Sequence, residues 1–237
     1  FMLSRVIGFD PVYLLFLLPG MLLSFWASAR VKSTFDKYSR VASRKGWTGA
    51  EAARELIRRR GVPGVEVEET PGFLSDHYDP SAKRLRLSPD VYRGRSLASL
   101  GVAAHEAGHA IQHATSYGPL KFRSWVVKPA QIGSNLGGML AIAGLALQST
   151  GLIWVGIVLF SAFVLFTLIT LPVEFDASNR AVLALEEAGM IDRAEVPGTK
   201  AVLNAAAMTY VAAALSAILQ LLYFLMRSGL LGGRRND

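Results

Sequence analysis

Residues 129–173 read PAQIGSNLGGMLAIAGLALQSTGLIWVGIVLFSAFVLFTLITLPV, 45 positions without a single Asp, Glu, Lys or Arg. A helix crosses the hydrocarbon core of a bilayer with about 20 consecutive apolar residues, so this stretch is long enough for two passes. The turn-forming tetrad Gln148-Ser149-Thr150-Gly151 divides it. Two further charge-free stretches flank it at a distance. Residues 11–29 give 19 positions between Asp10 and Arg30, and residues 201–226 give 26. The last of these carries Asn204, Thr209, Tyr210, Ser216 and Gln220, so it is expected to rest partly against protein rather than wholly against lipid. The first lacks a convincing cleavage site after its apolar core, Ala27-Ser28-Ala29 being the nearest approach, and it reads as a retained span. With 51% hydrophobic residues and a mean hydropathy of +0.34, the fold class is a mostly α membrane protein with about four transmembrane helices.

Charge orients these spans. Residues 30–128 carry 18 Lys+Arg against 10 Asp+Glu, and Arg30, Lys32, Lys37, Arg40, Arg44 and Lys45 cluster directly after the first span. The positive-inside rule places that side in the cytoplasm. Two further spans then return the chain to the cytoplasmic side at Glu174. Arg227, Arg234 and Arg235 oppose this order, because an even number of spans puts them outside. The division expected is a transmembrane helix at 8–30, a cytoplasmic zincin-like region at 31–128, transmembrane helices 2 and 3 within 129–173, a cytoplasmic segment at 174–200 and transmembrane helix 4 at 201–227. The overall charge of +7 belongs with anionic lipid headgroups. No zinc finger, RNA-binding motif or base-reading basic helix accompanies it, and no nucleic-acid partner is expected. The absence of cysteine fits a reducing compartment.

Working outward from the apolar run, one helix of the 31–128 region carries the chemistry. Val102-Ala103-Ala104-His105-Glu106-Ala107-Gly108-His109-Ala110-Ile111 reads as a buried helix, expected over about 96–115. Residues four apart share a helical face, about 6 Å apart along the axis, so two imidazoles there can converge on one Zn²⁺. Glu106 would take the proton of a water activated beside them. Ionisable groups are seldom buried without a partner, and a metal supplies the compensation that three of them among Ala, Val and Ile require. Ala107 and Gly108 suit either backbone access for a substrate or close helix packing. A catalytic zinc takes three protein ligands and keeps one position open. Position 115 is Thr, which removes the third histidine of the metzincin spacing, and the remaining histidines are His77 and His113. Glu174, the first charge after the apolar run, is the best third ligand. Asp176 is its rival, and an interfacial helix cap is the plain alternative for Glu174.

Around this helix the signals are local. Thr48-Gly49-Ala50-Glu51 forms a capping-box pattern that starts a helix ending at Arg58-Arg59-Arg60-Gly61. Residues 65–68 and 83–87 alternate with period two and read as short strands, and Ser88-Pro89-Asp90 reads as a helix start. The strand containing Leu85 is a candidate edge for an extended peptide, with simple bracing of the active helix held as equal. His77 and Tyr78 in the Pro/Gly/Asp-rich loop, and His113 four residues after His109, are candidates for contacting substrate or the oxyanion. Tyr210 is a weaker oxyanion candidate, and Asn135 and Asn204 suit hydrogen bonding between helices.

The chain resembles the membrane-bound neutral zinc metallopeptidases called YugP-like. The resemblance rests on Val31–Phe35, Ser75–Pro80, Gly101–His113, Pro119–Arg123, Leu171–Phe175 and Leu203–Ala212. It implies a zinc-dependent membrane peptidase. More distantly the chain is similar to the CAAX prenyl proteases and heat-shock membrane zinc proteases, whose third ligand lies in a Glu-x-x-Ala-Asp pattern. Glu174-Phe175-Asp176-Ala177-Ser178 departs from it by having Ser178 in place of Asp, which leaves open what orients the zinc histidines here.

The function expected is a multi-pass zinc metalloendopeptidase of the cell (inner or plasma) membrane with its active site toward the cytoplasm. Its site is gluzincin-like, with His105, His109 and Glu174 on Zn²⁺ and Glu106 as general base. Peptides or membrane-protein segments are the substrates expected, with a second copy or another protein as a further partner. The rival class is a non-catalytic zinc-containing membrane scaffold or assembly factor, which a closed four-ligand shell would favour. A transporter is disfavoured by the scarcity of ionisable residues inside the spans.

Overall fold

The computed structural model describes residues 11–229; the first three residues of the expected first span, Arg234 and Arg235 lie outside the described residues. Helices α1 (Pro11–Ser39) and α2 (Gly49–Arg59) come first, followed by strands β1 (Glu66–Glu69), β2 (His77–Asp79) and β3 (Arg84–Leu87). Then come α3 (Pro89–Tyr92), α4 (Leu97–Ala114), α5 (Gly118–Ile132), a π-helical turn (Gly133–Gly137), α6 (Gly138–Ala146), α7 (Thr150–Glu187) and α8 (Val196–Arg227). Among the described residues they form two compact units, one built from residues 11–26, 122–171 and 209–229 and the other from residues 27–121 and 172–208.

Among the described residues, α1, α7 and α8 are long and apolar enough to cross a membrane. The stretch expected as transmembrane helix 2 does not form one uninterrupted α-helix: it comprises the end of α5, the π turn and α6. Pro129 within α5 lacks the N–H of an ordinary helical residue, and the π turn begins four residues later. In this unit Ile157, Phe160, Val164, Ala217 and Phe224 are buried together, with Phe160 and Phe224 edge to face at 5.7 Å. Small residues let the backbones close up: a Cβ at Gly156 would fall 2.4 Å from the Ala141 amide nitrogen, the packing mode membrane helices favour. Leu15, Leu22, Phe25 and Val158 are each more than 65% exposed, an apolar surface that water does not cover well.

The second unit positions the candidate site. The capping box at Thr48 forms as expected, with the Glu51 amide donating to Thr48 Oγ1 at 3.1 Å and the Thr48 amide donating to Glu51 Oε2 at 2.8 Å. The helix stops at Arg60, followed by Gly61 at φ +64°, a left-handed conformation suited to glycine. Ser88 caps α3 and Ser96 caps α4, the latter accepting from the Ser99 amide at 3.1 Å. The helix expected over about 96–115 is thus α4, within a residue at each end.

The sheet has three strands where two were expected, in the order β1-β3-β2. β1 and β3 run parallel with Val67 opposite Leu85, and β2 is antiparallel to β3 with Tyr78 opposite Leu85. This overturns the expected substrate edge at Leu85. β3 is the central strand, hydrogen-bonded on both sides, and Leu85 is fully buried in a core with Leu56, Leu87, Val91, Leu100 and Ala103. Its alternation records a face turned to that core. The free edges belong to β1 and β2.

Candidate metal centre

α4 is buried along most of its length, and its own glycines let two other helices approach it closely. A Cβ on Gly108 would lie 2.8 Å from the Ala177 carbonyl oxygen of α7, and one on Gly101 would lie 3.2 Å from Thr199 Cγ2 of α8. Close packing therefore accounts for Ala107 and Gly108: the former is fully buried and the latter's Cα faces α7. Substrate access to the backbone, the other reading of these residues, finds no opening there. The same close approach sets Glu174, one turn before Ala177, against the two histidines.

Glu174 Oε2 stands 3.2 Å from His105 Nε2 and 3.4 Å from His109 Nε2. The imidazole centroids are 4.7 Å apart with their planes at 82°. One donor atom from each of the three residues lies within 4.8 Å of the others. Zn²⁺ binds imidazole nitrogen and carboxylate oxygen at about 2.0–2.2 Å, so tetrahedral neighbours stand roughly 3.3 Å apart. Both N···O separations match that edge, and the donor types are those zinc takes; the residues fit the ion. Asp176, the rival ligand, belongs elsewhere.

The far side of each ring is also held. His105 Nδ1 lies 3.1 Å from Ser178 Oγ, and His109 Nδ1 lies 3.0 Å from Gln112 Oε1. The hydroxyl of Ser178 thus occupies the place for which the sequence offered no partner. Gln112 in turn donates to the Val173 carbonyl at 2.9 Å and to Asp176 Oδ2 at 2.8 Å, and Asp176 accepts from Arg180 Nε at 2.5 Å. Burial by itself would disfavour the charged form of His109; hydrogen bonding to Glu174 and the charge of Glu106 outweigh it and raise its pKa.

Glu106, between the two histidines on α4, is 9% exposed. Asp76, which the sequence did not single out, exerts a charge effect with it. The Asp76 carboxylate accepts from the Ser88 amide at 2.8 Å and from Ser88 Oγ at 3.0 Å. Tyr78 and His113 meet each other, hydroxyl to Nδ1 at 2.9 Å, joining β2 to the last turn of α4; burial raises the Tyr78 pKa. His77 is exposed, with Nδ1 2.8 Å from the Ser75 carbonyl and Nε2 3.4 Å from Arg86 Nη1. Neither His77 nor His113 belongs to the group of three. Tyr210 lies in α8 and Asn135 in the π turn, both within the first unit rather than the one that holds the three ligands.

Residues 13–229 match the family model described as "Putative neutral zinc metallopeptidase". The chain belongs to this family. It is also 49% identical over 204 residues to a protein of Bacillus subtilis (strain 168) described as "Putative membrane protease YugP", covering 86% of this chain and 91% of that one. No solved structure matches it. The family, this relative and the three apolar helices together support a zinc peptidase of protease type associated with a membrane.

Proposed function

We propose that this family member is a zinc-dependent endopeptidase that hydrolyses peptide bonds near the cytoplasmic face of the cell membrane. The observation that carries the reading is the meeting of Glu174 with both imidazoles of α4 at 3.2 and 3.4 Å, with Glu106 next to the first of them in sequence. When bound, Zn²⁺ supplies a Lewis acid that polarises a carbonyl and acidifies water. His105 and His109 present Nε2 to it, and Glu174 adds the carboxylate. Glu106 accepts the proton of the attacking water and delivers it to the leaving amine. Tyr78 and His113, paired one turn beyond His109, and His77 on the same edge strand are assigned to contacting the substrate. Peptides and segments of membrane proteins are the substrates, and a lipid bilayer surrounds the spans.

A closed structural zinc shell would need a fourth protein donor. Among the described residues the group contains three, which supports a position left for water and favours the enzyme over the scaffold. The cytoplasmic orientation is supported by the cluster of Lys and Arg after the first span.

The test is metal content and peptide cleavage of the purified protein and its variants. Glu106→Gln is expected to retain zinc and lose turnover by roughly 10²–10⁴-fold. His105→Ala and Glu174→Ala are expected to lose the metal as well. Zinc loss in Glu106→Gln, or full zinc in His105→Ala, would sink these assignments.

A further inference from the structure

Gln112 is fully buried three residues after His109. Its amide nitrogen faces two acceptors, the Val173 carbonyl at 2.9 Å and Asp176 Oδ2 at 2.8 Å. Neither can donate, so the carboxamide must turn its NH₂ toward α7. Its oxygen then faces His109 Nδ1 at 3.0 Å. That oxygen only accepts, so Nδ1 must carry a proton. A neutral imidazole with its proton on Nδ1 keeps its lone pair on Nε2, the atom beside Glu174 Oε2. The direction of one buried amide therefore decides which nitrogen of His109 can coordinate.

We infer that Asp176 is a positioning residue: acting through Gln112, it locks His109 in the tautomer whose Nε2 is available to a metal. The inference rests on the zinc reading of His105, His109 and Glu174. Were the amide reversed, its oxygen would confront a carboxylate and a carbonyl inside the protein, with no proton between them. Asp176 is itself fixed by Arg180, whose guanidinium lies 5.4 Å over the Tyr117 ring. The chain Tyr117–Arg180–Asp176–Gln112–His109 thus joins two helices around one imidazole. His105 has a different arrangement, since the Ser178 hydroxyl at 3.1 Å can either donate or accept and leaves the tautomer of His105 to other neighbours.

The experiment uses the full chain in detergent, with Asp176→Ala, Gln112→Ala, the double variant and Asp176→Asn. Zinc affinity is read by competition with a chelating dye. The tautomer is read from ¹⁵N spectra of histidine-labelled, zinc-free protein at alkaline pH in a Glu174→Ala background, where no carboxylate competes for the proton of Nε2, with His109→Gln identifying the resonance. With Gln112 and Asp176 intact, Nδ1 of His109 is expected to bear the proton. Both alanine variants should give tautomer-averaged signals and bind zinc about 10- to 100-fold more weakly, the usual loss on removing an outer hydrogen-bond partner of a metal-bound histidine. The double variant should be no weaker than Gln112→Ala. Asp176→Asn, which keeps an acceptor for the Gln112 amide, should restore the wild-type spectrum. An unchanged spectrum and zinc affinity in Asp176→Ala would overturn the inference. So would losses that multiply in the double variant, because Asp176 would then act on the metal directly. If Asp176→Ala does not fold, the Gln112→Ala spectrum decides. A wild type that binds no zinc, with Nδ1 still protonated in the Glu174→Ala background, rejects the zinc reading and upholds the tautomer lock; bound zinc with an unprotonated Nδ1 in that background does the reverse.

Discussion

Asp76 holds a carboxylate in a place that disfavours charge. Burial raises its pKa above the ordinary 3.8, the Ser88 hydrogen bonds pull it back in part, and the negative charge of Glu106 pushes it up again. A carboxyl group with a raised pKa in the folded state binds its proton more tightly there than in the unfolded chain. Its contribution to stability is therefore present at low pH and falls as pH climbs from 3.8 through the raised value. Asp76→Asn keeps an acceptor for the Ser88 amide and removes the charge. In metal-free protein near neutral pH it is expected to unfold a few degrees above wild type, and the difference should vanish at low pH, where Asp76 is protonated. Thermal unfolding followed at several pH values checks this; a variant less stable than wild type at neutral pH would mean that the Ser88 bonds need the full charge. Such a residue is hard to read from sequence because its burial comes from neighbours distant along the chain. His105, Glu106 and His109 were legible because the i, i+4 relation is set by the helix alone. Gln112 carried a weaker local signal: a polar side chain in an apolar helix, three residues after a histidine. What it touches depends on α7, and no local pattern predicts that contact.

At the scale of helices, the contact between α4 and α7 decides whether a carboxylate reaches the histidines. Alanine at position 108 would gain about 1 kcal/mol of helix propensity over glycine. Its Cβ would also sit 2.8 Å from a backbone carbonyl, and overpacking of that kind costs about 1–3 kcal/mol. The second effect is expected to win, since a carbonyl fixed in a helix cannot rotate away. Gly108→Ala should push α7 off α4, carry Glu174 with it and weaken zinc binding. Gly101→Ala meets the Thr199 methyl at 3.2 Å and the Thr199 carbonyl oxygen only at an ordinary 3.8 Å, and should bind zinc nearly as the wild type does. Chelator competition on the two variants distinguishes them, and equal affinities would show that Glu174 is positioned by other contacts. The elements were legible to different degrees for related reasons. The cap at Thr48 and the ends of α2 and α4 follow from nearest neighbours along the chain. The order of the three strands depends on pairings between distant residues, so period-two alternation at 83–87 leaves a substrate edge and a brace for the active helix equally open, and only the pairing shows that it marks the centre.

For the whole molecule, the composition of the second unit constrains the membrane crossing. Residues 27–121 and 172–208 share one core, with Leu100, Ala103 and Ala107 buried alongside Ala181, Leu185 and Leu203. Two segments that share a core lie on the same side of a bilayer. The chain between them must then cross an even number of times. α7 is long and apolar enough to cross, and it is expected to be matched by a second crossing through α5, the π turn and α6. Among the described residues three helices meet the length and composition for spanning by themselves; a fourth span is the outcome expected. The chain contains no cysteine, so single cysteines can report the side directly. With Ser81→Cys, Glu187→Cys and Gln148→Cys, a membrane-impermeant maleimide is expected to label only position 148 in intact spheroplasts, and positions 81 and 187 only in inverted vesicles. Labelling of 81 and 187 from opposite sides would contradict the shared core. Labelling of both from outside would leave the metal centre intact but reverse the membrane face on which it works, and the basic cluster at Arg30–Lys45 would then have to be held out against the positive-inside bias.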